Sequence, residues 1–121
     1  MILIIDDDSA VRSSLSFMLK RAGYEAQVVP GPREAIEVVR TVAPDLILMD
    51  MKMPVMDGCE ATRQIRHLNR EDAKTIPILA ATANAFTEDI ALTKKAGMNA
   101  HISKPIDFEV LKITIARLLQ E

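Results

Sequence analysis

Short apolar segments that end in polar residues recur along this chain. Four of them lead into side chains that carry charge or a hydroxyl: Ile2–Ile5 into Asp6, Asp7 and Asp8, Leu46–Met49 into Asp50, Ile78–Ala81 into Thr82, and His101–Ser103 into Lys104. Short, β-prone apolar runs bounded by turn signals are typical of buried strands in a parallel sheet. A further short strand is predicted at Ala26–Val29.

Helical periodicity fills the segments between the predicted strands. Five helices are predicted: one after a cap at Asp8 or Ser9, one from Pro32, one after the loop 51–57, one from about Thr87 to Ala96, and one after a cap at Asp107. Two apolar stripes are expected to face the core: Val11, Leu15, Phe17, Met18, Leu19 and Ala22 in the first helix, and Phe108, Leu111, Ile115, Leu118 and Leu119 in the last.

Strands that alternate with helices predict βαβ units and a parallel sheet. Right-handed crossovers place helices on both faces of such a sheet. The expected fold class is therefore α/β, a flavodoxin-like three-layer sandwich with five strands in the order 2-1-3-4-5 and five helices. At 121 residues the chain is expected to form one domain, 1–121.

The polar residues at the strand ends predict a phosphoryl-transfer site. Ligands bind outside the carboxyl ends of the strands in an open α/β sheet, so Asp6, Asp7, Asp50, Thr82 and Lys104 should converge on one crevice. Two carboxylates at ~4 Å repel by about 4 kcal/mol at an effective dielectric of ~20, so the cluster needs a proton or a cation. Mg²⁺ suits oxygen ligands of this kind.

The remaining residues of the crevice suit the same chemistry. A carboxylate can form a covalent acyl phosphate. A lysine ammonium and a threonine hydroxyl, here Lys104 and Thr82, can hold phosphoryl oxygens by charge and by hydrogen bond.

Composition narrows the class of protein. The net charge of −2 comes with scattered basic residues, which gives no electrostatic footprint for nucleic acid. The single cysteine, Cys59, excludes an internal disulfide and fits a reducing compartment. No apolar stretch approaches the ~20 residues that span a bilayer. We therefore expect a soluble, cytoplasmic protein that contacts neither nucleic acid nor membrane.

Four motifs taken together resemble the receiver domain of a two-component response regulator, over essentially the full length of the chain. The matching segments are residues 2–8 (ILIIDDD), 48–58 (LMDMKMPVMDG), 80–83 (AATA) and 103–105 (SKP). The resemblance implies a signalling switch that accepts a phosphoryl group from a histidine on a kinase or phosphotransfer protein. Such a domain is not a metabolic enzyme, since it assists only its own phosphorylation and slow dephosphorylation.

The resemblance also implies roles for individual residues. Asp50 would be the phospho-acceptor, and Thr82 and Lys104 would contact the phosphoryl group. Asp7 would bind Mg²⁺ directly, and Asp6 would do so directly or through water. Asp50 and the backbone carbonyl of Lys52 would complete the protein ligands, and the Lys104–Pro105 peptide would be cis.

Finer similarities concern the origin and the switch of the domain. The segments 57–66, 83–85 and 96–100 resemble receivers attached to hybrid sensor histidine kinases. The family usually has Tyr or Phe where this chain has His101, a residue that works together with the threonine, here Thr82, as a switch. His101 therefore adds a potential pH dependence. Lys52 and Asn84 occupy positions that influence the lifetime of the acyl phosphate in the family.

Other readings of the same residues stay open at this stage. One is a phosphatase with an aspartyl nucleophile, because Asp6 and Asp8 have the Asp-x-Asp spacing of haloacid-dehalogenase-like phosphatases. Another is an interaction module that is never phosphorylated. A flavin-binding role is weaker still, because three aspartates would repel an anionic ligand.

One surface is predicted to contact a partner or a second copy of the chain. Val110 and Ile113 fall outside the apolar stripe of the last helix. Together with the fifth strand and the helix before it, they mark a candidate homodimer face.

Overall fold

The computed structural model describes residues 1–83 and 87–120, and for residues 87–89 the backbone alone. Five parallel strands form one sheet: β1 (Ile2–Ile5), β2 (Ala26–Val29), β3 (Leu46–Asp50), β4 (Ile78–Thr82) and β5 (Ala100–Ser103). The strands lie in the order β2-β1-β3-β4-β5, which confirms the predicted topology.

Six helices connect or flank the strands in the described part of the chain. They are α1 (Ser9–Arg21), α2 (Pro32–Thr41), α3 (Gly58–Arg66), α4 (Glu71–Thr75), α5 (Thr87–Ala96) and α6 (Phe108–Leu119). The structure thus adds the five-residue helix α4 to the five that were predicted. Periodicity does not detect so short a helix, because five residues cover barely more than one turn.

Alternation along the strands divides the core into two layers. On one face, Leu3, Ile5, Ile47 and Met49 pack with residues of α2 and α3. On the other, the intervening strand residues pack with α1 and α6: Ile2, Ile4, Leu46 and Leu48 with Leu15, Leu19, Leu111, Ile115 and Leu118. Because both faces are covered, the central strands β1, β3 and β4 are buried along their whole length.

Three positions of the stripe predicted for the first helix and one of the last lie at the surface instead; one of them is Ala22, which follows the end of α1. Phe17 is 62% exposed, Met18 39% and Leu119 37%. In α1 only Leu15 and Leu19 are buried. An α-helix turns about 100° per residue, so Phe17 lies about 200° around the axis from Leu15 and cannot share its face.

Aspartates fix the starts of three helices, as the capping pattern predicts for two of them. Asp8 accepts hydrogen bonds from the backbone N–H groups of Ala10 and Val11. Asp107 caps α6 in the same way, and Asp57 accepts a hydrogen bond from the N–H of Glu60 at the start of α3. These caps satisfy N–H groups that the helices leave without partners, and they set where each helix departs from the sheet.

Gly58 allows α3 to begin directly against the end of β3. A Cβ atom at this position would lie 2.6 Å from the backbone oxygen of Asp50 and 3.1 Å from Cα of Met51. The amide of Gly58 also donates a hydrogen bond to the carbonyl of Met51 at 3.0 Å. The turn that positions Asp50 therefore has no room for a side chain at residue 58.

We expect Gly58→Ala to destabilise the fold, although alanine favours helices more than glycine does. The new methyl group must push against backbone, and such overpacking outweighs the helix gain, leaving a net loss of about 1–2 kcal/mol. Urea unfolding measures this loss. Gly31→Ala is the control, because its Cβ would meet only the flexible Glu34 side chain at 3.2 Å. Equal losses in the two variants would contradict the clearance argument.

Candidate functional site

Three carboxylates meet at the carboxyl edge of the sheet. Asp6 and Asp7 follow β1, Asp50 ends β3, and β1 and β3 are paired neighbours. One carboxylate oxygen from each of the three lies within 4.8 Å of the others. Asp6 and Asp50 are each 3% exposed, whereas Asp7 is exposed to solvent. We call these three residues the acidic nest; it opens to solvent on the Asp7 side.

Lys104 supplies the cation that faces the two buried carboxylates. Its Nζ lies 2.9 Å from Oδ1 of Asp50 and 3.5 Å from Oδ2 of Asp6. The backbone N–H of Lys104 donates to the carbonyl of Thr82 at 2.8 Å, which continues the β4–β5 pairing past the end of β5. The Lys104–Pro105 peptide is cis, as the family resemblance implies.

Burial and charge act in opposite directions on these groups. Burial raises the pKa of Asp50 above its usual range; the neighbouring Asp6 charge adds to this rise, and the hydrogen bond from Lys104 opposes it. Burial alone would lower the pKa of Lys104, but its hydrogen bond to Asp50 and the charges of Asp50 and Asp6 outweigh burial and raise it. Lys104 therefore stays protonated, and its single ammonium faces the two buried carboxyl groups.

Hydrogen bonds do not engage every oxygen of the two buried carboxylates. Oδ1 of Asp50 accepts from both Lys104 and the N–H of Lys52, the latter at 3.2 Å. Oδ1 of Asp6 accepts from the N–H of Asp8 at 2.9 Å. Within residues 1–83 and 87–120, no hydrogen bond reaches Oδ2 of Asp50. That oxygen is therefore the one most available to an incoming group.

The donor set fits Mg²⁺. All three groups offer oxygen, the donor that this ion prefers, and Asp7 gives access from solvent. Ligands about 2.1 Å from an octahedral ion lie roughly 3–4 Å apart, so the 4.8 Å upper limit requires little closure of the nest.

Thr82 and His101 lie on neighbouring strands with different exposure. Thr82 is the last residue of β4 and is 5% exposed. His101 lies in β5 opposite Ala80, and its side chain is exposed. The side chain contributes to a cavity of about 420 Å³ between α5, β5 and α6. Asn84 lies outside the described residues.

A larger cavity lies beside the loop that follows β3. Its volume is about 670 Å³, and its lining comprises Met51, Lys52, Met53, Pro54, Asp57, Cys59, Thr82, Ala83 and Leu92. Lys52 and Thr82 belong to this lining, whereas the residues of the acidic nest and Lys104 do not.

The structure brings together Asp6, Asp7, Asp50 and Lys104, with Thr82 at the adjacent strand end, as the strand-end pattern predicts. Two contributors escape sequence reasoning. Gly58 is needed for clearance, and Arg12 donates a hydrogen bond from Nη1 to the backbone carbonyl of Asp6 at 2.8 Å. The Asp-Gly pair at the start of α3 is a turn signal that points to Gly58. No local sequence pattern predicts the hydrogen bond from Arg12 to the carbonyl of Asp6.

Comparison with known proteins identifies the family. The family described as response regulator receiver domain matches residues 2–116. This chain belongs to that family. The receiver domain is the phosphorylatable switch of two-component systems.

The relatives include both hybrid kinases and free-standing regulators. The chain is 36% identical over 116 residues to the sensor histidine kinase RcsC of Salmonella typhimurium, covering 96% of this chain and 12% of RcsC. The chemotaxis protein CheY4 of Vibrio cholerae superimposes with a TM-score of 0.91 at 32% identity, covering 97% of this chain and 96% of CheY4. These relatives share the receiver fold but differ in what surrounds it.

One structural neighbour carries a magnesium ion. The receiver domain of the sensor histidine kinase PA1611 from Pseudomonas aeruginosa has a TM-score of 0.89 at 33% identity and covers 99% of this chain and 97% of that one. A magnesium ion is coordinated in its active-site cleft.

In the described part of the present chain, no helix is both long and apolar enough to cross a bilayer.

The pairing of Lys104 with Asp50 predicts a measurable coupling. In metal-free buffer, Lys104→Met should lower the free energy of unfolding by about 1–3 kcal/mol, because it leaves two buried carboxylates without their cation. The loss should be smaller when Asp50→Asn is already present, with a coupling of roughly 0.5–2 kcal/mol from a double-mutant cycle in urea.

Lys112→Met is the matched control for this cycle. Lys112 pairs at 3.2 Å with Glu109, whose side chain is 75% exposed, so its removal should cost at most about 0.5 kcal/mol. Additive losses for Lys104→Met and Asp50→Asn would show that the two groups are not energetically coupled.

Proposed function

We propose that Asp50 accepts a phosphoryl group from a phosphohistidine on a kinase or phosphotransfer protein, and that this phosphorylation switches the domain between two states. The main support is the acidic nest, in which buried Asp50 keeps one oxygen without a hydrogen bond from the described residues, beside a protonated lysine. Membership of the receiver domain family supports the same function.

The proposed transfer moves one phosphoryl group between two side chains. An oxygen of Asp50 forms a bond to phosphorus, the phosphorus–nitrogen bond to the donor imidazole breaks, and the imidazole keeps the electron pair and takes a proton. Lys104 and the Thr82 hydroxyl then contact the phosphoryl oxygens. Loss of the group follows when water attacks phosphorus, so the chain assists its own dephosphorylation without turning over a metabolite.

The acidic nest supports a requirement for Mg²⁺. We propose that Asp6, Asp7, Asp50 and the backbone carbonyl of Lys52 hold the ion, with Asp6 binding directly or through water. Bound there, it would offset the negative charge that otherwise opposes the approach of a phosphoryl group to carboxylates. The N–H of Lys52, which donates to Asp50, keeps this backbone segment at the nest.

The phosphate signal would reach the surface through Thr82 and β5. We propose that Thr82 moves toward the phosphoryl group and that His101 reports this shift, since the two residues lie on paired strands. His101 is exposed rather than packed inward, so its side chain would be accessible to a binding partner.

The partners and the location of the domain are part of the same proposal. We propose a cytoplasmic histidine kinase or histidine phosphotransfer domain as the donor, with no contact to nucleic acid or membrane by this domain itself. The similarity to the sensor histidine kinase RcsC supports a hybrid kinase as the setting of this domain. A homodimer through α5, β5 and α6 remains our proposal for the exposed Val110 and Ile113, which are 47% and 70% exposed.

The alternative phosphatase has less support from the geometry. An Asp-x-Asp phosphatase needs Asp8 at the reaction centre. Oδ1 of Asp8 instead accepts hydrogen bonds from the N–H groups at the start of α1. A module that binds partners without phosphorylation remains the outcome in which Asp50 never accepts phosphate.

Incubation with acetyl phosphate and Mg²⁺ should add one phosphoryl group to the protein, as seen by intact mass spectrometry. Asp50→Asn should abolish the gain because it removes the acceptor, and Thr82→Ala should slow it. Asp8→Asn is the matched control, since asparagine caps helices as well as aspartate does. No gain in the unaltered protein, or a gain retained in Asp50→Asn, would refute the proposal.

The proposed dimer face makes a separate prediction. If Ile113 is covered by a second copy, Ile113→Asp should shift the phosphorylated protein toward monomer in sedimentation velocity, because it places a charge in an apolar contact. Phe17→Asp is the control, as Phe17 is 62% exposed on a different helix. If the phosphorylated protein is already a monomer before substitution, this face is not a dimer contact.

A further inference from the structure

One cation at the site makes no ion pair in the described part of the chain. Arg12, in the first turns of α1, donates from Nη1 to the backbone carbonyl of Asp6 at 2.8 Å. The contact is partly buried. Lys104, by contrast, contacts carboxylate oxygens of the same site. Arg12 therefore holds backbone rather than a charged side chain.

The carbonyl that Arg12 contacts belongs to the peptide joining Asp6 to Asp7. Fixing this oxygen fixes the plane of that peptide, and the plane sets the direction in which the Asp7 side chain leaves the backbone. Two further features hold the rest of the turn: the N–H of Asp8 donates to Asp6 Oδ1 at 2.9 Å, and the side chain of Asp8 caps α1. The guanidinium of Arg12 thus completes a turn in which the residues on both sides of Asp7 are held.

Asp7 depends on this turn more than its neighbours do. Asp6 and Asp50 are buried and paired with Lys104, so several contacts fix their positions. Asp7 is exposed, and across the described residues neither a hydrogen bond nor an ion pair restrains its carboxylate. The backbone of the turn is therefore the restraint that places the Asp7 side chain beside the nest.

We infer that Arg12 is a positioning residue that aims the Asp7 carboxylate into the acidic nest and thereby raises its affinity for a divalent cation. The inference rests on the proposed role of the nest as a Mg²⁺ site. It differs from a simple effect of charge, because a nearby guanidinium by itself repels a cation. If Arg12 positions Asp7, its replacement should weaken the binding of the cation. If only its charge acts, its replacement should strengthen that binding.

Isothermal titration of the unphosphorylated protein with Mg²⁺ tests this inference. Arg12→Met should raise the dissociation constant about tenfold, the scale seen when a group that orients a metal ligand is lost. Arg12→Lys keeps the charge and one donor and should recover part of the affinity. Arg40→Met is the control: it removes an exposed arginine that pairs with Glu37 on α2, and it should leave the dissociation constant unchanged.

A second measurement separates positioning from loss of folded protein. Initial rates of phosphorylation by acetyl phosphate should fall in Arg12→Met at low Mg²⁺ and return toward those of the unaltered protein at saturating Mg²⁺. Urea unfolding of each variant in metal-free buffer gives the folded fraction. A purely structural role would lower the unfolding midpoint and leave the dissociation constant of the folded protein as it was.

Each other result overturns the inference. Tighter binding of Mg²⁺ to Arg12→Met would mean that only the charge of Arg12 acts, and an unchanged dissociation constant would mean that Arg12 does not position Asp7. Failure of the proposed function is distinguishable: the unaltered protein would then gain no phosphoryl group, while its Mg²⁺ titration would still report on Arg12.

Discussion

The concentration of negative charge at one sheet edge is the constraint on which this structure depends. Three carboxyl groups share the acidic nest, and two of them are almost completely buried. Lys104, which is 98 residues from Asp6 along the chain, offsets part of this charge. The remaining negative charge is what makes the nest a site for a cation and, in our proposal, for a phosphoryl group that a cation accompanies.

The direction of the strands in the parallel sheet brings the charged groups together. Every strand points the same way, so residues that follow β1, β3, β4 and β5 lie at one edge regardless of their separation in sequence. The two apolar layers stay below that edge and stabilise the fold without passing through the site. Loops at the edge are therefore free to carry polar groups whose arrangement serves binding.

The turns at this edge restrain the positions of individual residues of the site. Gly58 gives Asp50 its place by leaving room beside its carbonyl, and Arg12 restrains the peptide before Asp7. Val55, in the loop between β3 and α3, has a φ of 74° although it is a β-branched residue. Backbone in such a conformation costs free energy and persists only where its surroundings enforce it. A hydrogen bond from the N–H of Met56 to the carbonyl of Pro54 at 2.8 Å closes a three-residue turn around Val55.

The amino-acid sequence by itself determined the five strands, the capped starts of α1 and α6, the sheet order and the set of residues at its carboxyl edge. The strands, the caps and the polar residues at the strand ends follow from local patterns, which do not depend on distant contacts, whereas the sheet order was inferred from the fold class that those patterns indicate. Only the tertiary structure decided which side of α1 faces solvent at Phe17, which oxygen of Asp50 meets Lys104, and that Arg12 meets the carbonyl of Asp6. Those outcomes depend on how elements far apart in sequence are oriented against one another, and no pattern within a single element encodes that orientation.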